Sequence, residues 1–273
     1  MKQLRRHPRI LIGGTVLAVL VLLSLTASLI APFDPIKLNV AMRLKPPSGT
    51  HWFGTDAYGR DVLTRTLYGG RISLVIAVSV AALATILGTA IGLVAGYFRR
   101  MDTLVMRVMD GLMAIPGILL AVAMLSLSKA SVQTVILAIT IPEIPRVVRL
   151  VRAVVLSIRE QAFVEGAVAS GTRTPRILFR HILPNAVTPI IVQATYIAAS
   201  AVLIEAYLGF LGVGTPPEVP SWGNIIAEGR NFIMLAIWSV LFPGVFLGTM
   251  VLSINILGDG VRDMLDPRIA KRL

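Results

Sequence analysis

Residues 72–98 read ISLVIAVSVAALATILGTAIGLVAGYF and carry no charged side chain. A helix of about 20 predominantly apolar residues crosses the ~30 Å hydrocarbon core of a bilayer, so this segment is long enough to span a membrane. Five more apolar runs bring the predicted number of membrane helices to six. These runs lie at 10–31, 104–128, 131–149, 186–210 and 233–258. The sequence therefore predicts an all-α, polytopic integral membrane protein.

The composition also favours a membrane protein. Of 273 residues, 55% are hydrophobic and 15% are charged, whereas a soluble domain carries about 25% charged residues. The chain has no cysteine, which excludes disulfides, thiolate metal sites and cysteine nucleophiles. The first apolar run follows the basic stretch MKQLRRHPR, as a secretory signal would. It is longer than a signal core and lacks a small-residue cleavage site, so we expect a retained membrane helix.

The formal net charge of +12 follows membrane topology. With the N-terminus in the cytoplasm, the predicted inside segments hold 18 of the 26 Lys and Arg residues, as the positive-inside rule requires. These segments are 1–9, 99–107, 146–180 and 260–273. Both termini are thus expected inside, and the segments 32–71 and 211–232 outside. Since no basic stripe is interleaved with aromatic residues, we expect no nucleic-acid partner.

A basic stretch containing glycine and proline interrupts the apolar runs on the predicted cytoplasmic side. Residues 162–189 read AFVEGAVASGTRTPRILFRHILPNAVTP. Residues 165–170 form a predicted short helix of small residues. Gly171 ends this helix, because glycine favours the left-handed conformation common at helix C-termini. Thr174 is then a predicted N-cap, and Pro175 a predicted first helical residue.

The second short helix of this stretch is predicted to place Leu178, Phe179 and Ile182 on one face and to end at Pro184. A helix of this length is marginally stable alone. Its apolar face therefore indicates that it is held in a groove of another protein.

This stretch resembles the coupling loop of permease subunits of binding-protein-dependent ABC importers. That loop has the pattern Glu-Ala-Ala, three residues, Gly, nine residues and Ile-x-Leu-Pro. The matching residues here are Glu165, Ala167, Gly171, Leu183 and Pro184. Two residues depart from the pattern: Gly166 replaces the first alanine, and His181 stands where isoleucine is usual.

Four other segments resemble the peptide and nickel importer permeases, in the same order along the chain. They are HWFGTDAYGRDVLTRTLYGGRISL (51–74), MRVMDGLMAIPG (106–117), YLGFLGVGTPPEVPSWG (207–223) and LGDGVRDMLDPR (257–268). The resemblance is to the second permease of such systems, which has one helix before a five-helix core. It implies an N-terminal part at 1–71, a core at 72–260 with the coupling loop at 160–185, and a cytoplasmic tail at 261–273.

The resemblance implies a type I importer permease in the inner membrane of a bacterial or archaeal cell. Its partners would be a second homologous permease, two ATPase subunits, an extracytoplasmic solute-binding protein and the lipid of the membrane. The ATPases would receive the coupling loop through Glu165, Gly166, Ala167, Gly171, Leu183 and Pro184. The chain has no G-x-x-x-x-G-K-[ST] phosphate loop, so we expect no enzyme activity and no cofactor of its own. ATP and Mg²⁺ would act through the ATPases.

Relatives with these loops suggest di- or oligopeptides as solutes, with nickel, glutathione, opines and sugars as alternatives. An autonomous channel or secondary transporter is the rival class, but it would leave the coupling loop unexplained. A membrane-embedded enzyme is a further rival. The three histidines form no H-E-x-x-H motif, which argues against a metallohydrolase.

Glu143 lies in TIPEIPRVVR, about twelve residues into the fourth predicted helix. A carboxylate at that depth costs a few kcal/mol unless it is paired or wet. Arg146 is at i+3 and is its predicted partner. The alternative is that Glu143 faces the translocation path and favours cationic or amine-bearing solutes. Glu205, near the outer end of the fifth helix, would line the path or bind a backbone group.

Three further groups of residues have a structural interpretation. Asp110 is expected to pair with Arg107 at i−3. His51, Asp56 and Asp61 are expected to cap and hydrogen-bond locally, so no metal site is predicted. The last group is a stripe of small residues, expected to pack against another helix. Its members are Gly88, Gly92 and Gly96.

Overall fold

The computed structural model of the chain describes residues 8–265. In this part all regular secondary structure is helical apart from one isolated β-bridge, so the predicted all-α class is confirmed. The first five α-helices are α1 (Pro8–Leu25), α2 (Ala27–Ile30), α3 (Val62–Tyr97), α4 (Arg99–Ala114) and α5 (Gly117–Ser126). The remaining ones are α6 (Val132–Arg159), α7 (Ala162–Ala169), α8 (Thr174–Arg176), α9 (Leu183–Phe210), α10 (Trp222–Gly229) and α11 (Trp238–Leu265).

Four helical segments of the described chain are long and apolar enough to cross a membrane. They are α1, α3, α11 and the helical run Thr174–Phe210, which includes α9. The consecutive helices α4 and α5 make a fifth span if they are counted together, but they meet at an angle of 81°. The predicted third span, 104–128, is therefore bent rather than straight.

The fourth predicted span, 131–149, is not supported by apolar composition. It corresponds to α6, which has 28 residues and is about 42 Å long at 1.5 Å per residue. Glu143, Arg146 and Arg149 lie within its first 18 residues, so no uninterrupted apolar stretch of membrane length remains. Length and composition thus support four or five spans in residues 8–265, not six.

Helix α3 begins at Val62, ten residues before the predicted start of the apolar run. Asp61 caps it, because its side chain accepts a hydrogen bond from the backbone N–H of Thr64 at 2.8 Å. With 36 residues, α3 is about 54 Å long and exceeds a ~30 Å hydrocarbon core. The segment predicted to lie outside, 32–71, therefore includes the first ten residues of α3.

The centre of the fold is the packing of α3 against α6. Three glycines of α3 each face one valine of α6, and a Cβ added to any of them would lie within 2.7 Å of the valine Cβ. The pairs are Gly88 with Val147, Gly92 with Val151, and Gly96 with Val155. The predicted role of this stripe in helix packing is confirmed.

Two ion pairs connect α4 to α6. Arg149 donates to Asp110 at 2.6 Å, and Arg152 donates to Asp102 at 2.7 Å. The prediction that Asp110 pairs with Arg107 is wrong, because the neighbouring α6 brings an arginine from 39 residues away against Asp110. The two pairs occur in opposite sequence order on the two helices, which shows that α4 and α6 run antiparallel.

Candidate functional site

The first half of the predicted coupling loop is the short helix α7, which starts at Ala162, three residues before the predicted position. Gly171 follows it with φ +72°, a left-handed conformation that favours glycine. The N–H of Gly171 donates to the carbonyl of Val168, and the N–H of Thr172 to that of Ala167. This pair of bonds is a Schellman motif, so the predicted helix stop at Gly171 is confirmed.

The second half of the loop differs from the prediction at both ends. Arg173, not Thr174, precedes the first helical residue, and no side chain caps it. Pro184 does not end a helix but lies in the first turn of α9. A π-helical turn at Ile177–Ile182 connects α8 to α9. The wider π turn accommodates a residue without a backbone N–H, so the chain continues helically through the proline.

The π turn also changes which side chains are buried. Ile177, Leu178 and Ile182 are buried, whereas Phe179 is 66% exposed. The predicted face was therefore wrong in including Phe179, since it assumed ordinary α-helical spacing. Val164 anchors the first half of the loop with 1% exposure.

The outer face of this loop is accessible. Of the residues predicted to meet the ATPase, Glu165, Gly166, Gly171 and Pro184 are exposed, and Ala167 and Leu183 are partly buried. Phe163, Val168 and Phe179 add exposed apolar surface on the same loop. The result is a compact helical protrusion, fixed from inside by buried side chains, with charged and apolar groups available to a partner.

A cavity of about 470 Å³ lies in the bend between α4 and α5. We call it the elbow cavity. It is lined by the bend residues Pro116 and Gly117, by Pro142 and Glu143 of α6, and by Ser200 of α9, among others. Ligand pockets commonly have volumes of ~300–1,000 Å³, so this cavity is large enough for a small solute.

Glu143 and Arg146 form the predicted ion pair at the wall of the elbow cavity. Nη1 of Arg146 donates to both carboxylate oxygens of Glu143, at 3.0 and 3.1 Å. The Glu143 side chain is 4% exposed and that of Arg146 is 56% exposed. The pair is confirmed, whereas the role of Glu143 in a path stays a prediction.

Glu205 has no exposed surface in this structure. The hydroxyl of Ser73 on α3 donates to its Oε2 at 3.0 Å, so its partner is a side chain rather than the predicted backbone group. Among the described residues, its Oε1 has no hydrogen-bond partner. A role for Glu205 in a path stays a prediction.

Sequence reasoning missed a buried charge cluster that joins the outer segment to α10. Asp56 accepts hydrogen bonds from Arg60 at 2.7 Å and from Arg65 at 2.8 Å. Both arginines also bind Glu228 of α10. Glu228 lies more than 160 residues away in sequence, and no local spacing signals such a partner. We call these four residues the outer cluster.

The residues predicted to cap locally in the outer segment do so. Asp56 accepts the backbone N–H of Tyr58 at 2.8 Å and that of Arg60 at 2.9 Å. Nδ1 of His51 lies 2.9 Å from a carboxylate oxygen of Asp61, which caps α3. These contacts account for the three residues as parts of a turn structure.

Two family models match the chain. The model described as binding-protein-dependent transport system inner membrane component matches residues 84–271. The model described as N-terminal TM domain of oligopeptide transport permease C matches residues 1–47. The first match alone covers more than half of the chain.

Curated relatives are similar over almost the whole length. A probable peptide ABC transporter permease of Sinorhizobium fredii is 50% identical over 98% of this chain and 92% of the relative. A dipeptide transport system permease of Alkalihalophilus pseudofirmus is 43% identical over 98% and 88%. An oligopeptide transport system permease of Bacillus subtilis is 34% identical over 99% and 89%.

Solved structures share the fold. A methionine ABC transporter in an inward-facing conformation superposes with a TM-score of 0.63 at 20% identity, covering 74% of this chain and 97% of the other. A second crystal form of that transporter gives a TM-score of 0.62 at 21% identity, covering 74% and 96%.

Proposed function

The chain belongs to the family of binding-protein-dependent transport system inner membrane components, and we propose that it is the permease subunit of an importer for di- or oligopeptides. The similarity to peptide permeases over 98% of the chain carries this proposal. The chain is an ABC transporter permease and is not itself the ATPase. Nickel, glutathione and opines are the alternative solutes.

The proposed importer contains this chain, a second homologous permease, two ATPase subunits and an extracytoplasmic solute-binding protein. In that assembly α6 crosses the membrane as the fourth of six spans. Its charged residues are paired within the protein: Arg149 and Arg152 with α4, and Glu143 with Arg146. This pairing supports a spanning role, because charged groups inside a membrane face the protein interior or a wet cavity.

The coupling loop is proposed to dock into a surface cleft of an ATPase subunit through Glu165, Gly166, Ala167, Gly171, Leu183 and Pro184. The exposed outer face of the loop and its buried apolar anchors support this role. ATP binding would close the ATPases, and a loop held rigidly on α9 would pass that movement to the membrane helices.

Reconstituted transport tests the proposed function. The chain is co-expressed with a second permease, ATPases and a binding protein from its source organism, and the assembly is placed in liposomes. We expect ATP-dependent uptake of labelled dialanine and trialanine, and none with a non-hydrolysable ATP analogue. Uptake of Ni²⁺ or glutathione in place of both peptides would overturn the peptide assignment.

Cysteine labelling tests the proposed topology, in which both termini are cytoplasmic. The chain has no native cysteine, so single cysteines can be placed at Ala57 and Glu218. Both should react with a membrane-impermeant thiol reagent added to intact spheroplasts, and a cysteine at Gly171 should not. Reaction at position 171 with silence at the other two would invert the topology and remove the coupling role.

A further inference from the structure

We propose that the elbow cavity is a solute subsite in which the guanidinium of Arg146 binds a carboxylate group, and in which Glu143 positions that arginine. The proposal rests on the proposed function, because it assigns the carboxylate to a transported peptide. Glu143 alone would suggest a site for a cationic or amine-bearing group, whereas the proposed subsite binds an anionic group. The accessible charge in the cavity is positive.

The hydrogen bonds of Arg146 leave most of its donors free. Both bonds to Glu143 come from Nη1. Within residues 8–265, neither Nη2 nor Nε of Arg146 has a protein acceptor. A guanidinium offers five N–H donors in a planar fork that matches a carboxylate with two parallel bonds. The free edge of Arg146 can therefore take a second carboxylate.

The neighbouring arginines of α6 set Arg146 apart. Arg149 and Arg152 are each occupied by an aspartate of α4. Arg146 binds only a residue of its own helix, one turn earlier, and its side chain is more than half exposed. The three arginines thus have two different environments, although they are spaced three residues apart. Only Arg146 lines the elbow cavity.

The depth of Arg146 separates this role from simple anchoring at the membrane surface. Arg146 lies fourteen residues after the start of α6, or about 21 Å along it. An arginine that anchors a helix extends toward the nearer interface. Here the guanidinium is turned toward Glu143, one turn nearer the N-terminus of α6, which is the direction in which helical side chains lean. The charge is kept at the cavity.

The remaining walls of the cavity suit the rest of a peptide. Ile115, Ile118 and Ile204 give apolar surface, and Ser200 adds one hydroxyl. Solute sites usually combine such apolar walls with a few placed polar groups. Two prolines on α6, Pro142 and Pro145, also remove backbone donors, so the carbonyls of the preceding turn lack their usual helical partners.

Charge-selective cysteine modification tests this assignment without requiring transport. Ser200→Cys is introduced into the full-length chain and studied in permeabilised membranes of the expressing cells. The reaction rates with an anionic and a cationic methanethiosulfonate reagent are compared with those at Thr50→Cys, on the exposed outer segment. We expect the anionic-to-cationic ratio to be about tenfold higher at position 200, the lower end of the ~10–10³-fold concentration of counter-ions in charged clefts.

Variants of the pair identify the source of this ratio. Arg146→Gln combined with Glu143→Gln removes both charges and keeps hydrogen-bonding groups, and we expect it to lower the ratio to that of Thr50→Cys. Arg146→Lys keeps the charge and should keep the ratio. Dialanine should slow the reaction at position 200, whereas dialanine amide, which lacks the carboxylate, should not.

Three results would overturn the assignment. The first is a faster reaction with the cationic reagent, which would mean that Glu143 dominates the cavity. The second is equal protection by dialanine and its amide. The third is no reaction with either reagent at Ser200→Cys or at Ile118→Cys on the opposite wall, which would mean that the cavity is closed. A failure of ATP-driven uptake would leave these rates unchanged, so the two proposals fail separately.

Discussion

The outer segment and the coupling loop hold their charged groups in opposite ways. In the outer cluster, Arg60 and Arg65 each bind both Asp56 and Glu228, and the four side chains are largely buried. Within residues 162–184, all of which the structure describes, no ion pair forms, and buried apolar side chains hold the loop. The charges of the outer cluster are therefore paired within this chain, whereas those of the loop form no ion pair with the described residues and, in the proposed docking, are available to an ATPase.

The Glu143–Arg146 pair is intermediate between these two regions. Its carboxylate is buried and satisfied, as in the outer cluster, but its guanidinium is half exposed, as in the loop. The extent to which the charged side chains are buried and paired should therefore determine how much each region contributes to the stability of the chain alone. Substitutions in the three regions test that order.

The largest loss of stability is expected for Arg65→Met in the outer cluster. Arg65 is 1% exposed and binds both Asp56 and Glu228. Breaking a buried ion pair from one side costs about 3–5 kcal/mol, because the remaining charge stays buried. We expect a strongly lowered thermal midpoint of the detergent-solubilised protein, measured by static light scattering, or a loss of protein from the membrane.

Arg149→Met is the matched control for the outer cluster. Arg149 also binds one aspartate, but the two side chains are 45% and 58% exposed. Exposed pairs contribute about 0–1 kcal/mol, so this variant should unfold close to the wild type. Equal losses in the two variants would show that burial does not determine how much these ion pairs contribute to stability.

A smaller loss is expected for Glu143→Gln. The substitution keeps the size of the side chain but removes the charge that Arg146 binds, at a cost of about 1–2 kcal/mol. Changing Arg146 to Gln as well should restore part of the stability, since both charges are then absent. The thermal midpoints of the two single variants and the double variant give the coupling between them. A double variant less stable than both singles would contradict a stabilising pair.

The features that the sequence predicted are local ones. Gly171 as a helix stop and the Glu143–Arg146 pair are recognisable because their partners lie within a few residues. The glycine stripe of α3 is recognisable because it repeats every four residues. Each depends on helical spacing, which sequence alone supplies.

The features that were missed depend on distant partners or on a change of helical spacing. Glu228 and Arg149 find their partners through tertiary packing. The π turn before Pro184 alters the spacing that placed Phe179 on the buried face. The start of α3 was placed too late because Arg65 and Arg71 interrupt the apolar pattern of a helix that Asp61 already caps.

A loss of stability no larger than that of Glu143→Gln, with the largest loss of coupling, is expected for Gly171→Leu. A Cβ at position 171 would meet no atom within 4 Å, so its cost comes from the positive φ and not from a clash. A left-handed conformation costs an L-residue about 1–2 kcal/mol. We expect the variant to accumulate in the membrane with a modestly lowered thermal midpoint. A docking penalty of ~1.4 kcal/mol would weaken ATPase binding about tenfold, measurable by co-purification and by uptake.

Gly166→Ala separates the turn from the surface of the same loop. Gly166 lies inside α7, and an added Cβ there also meets nothing within 4 Å. Alanine favours a helix over glycine by up to ~1 kcal/mol, so this variant should fold at least as well and still bind the ATPase. If Gly171→Leu co-purifies and transports like Gly166→Ala, the left-handed turn has no part in docking.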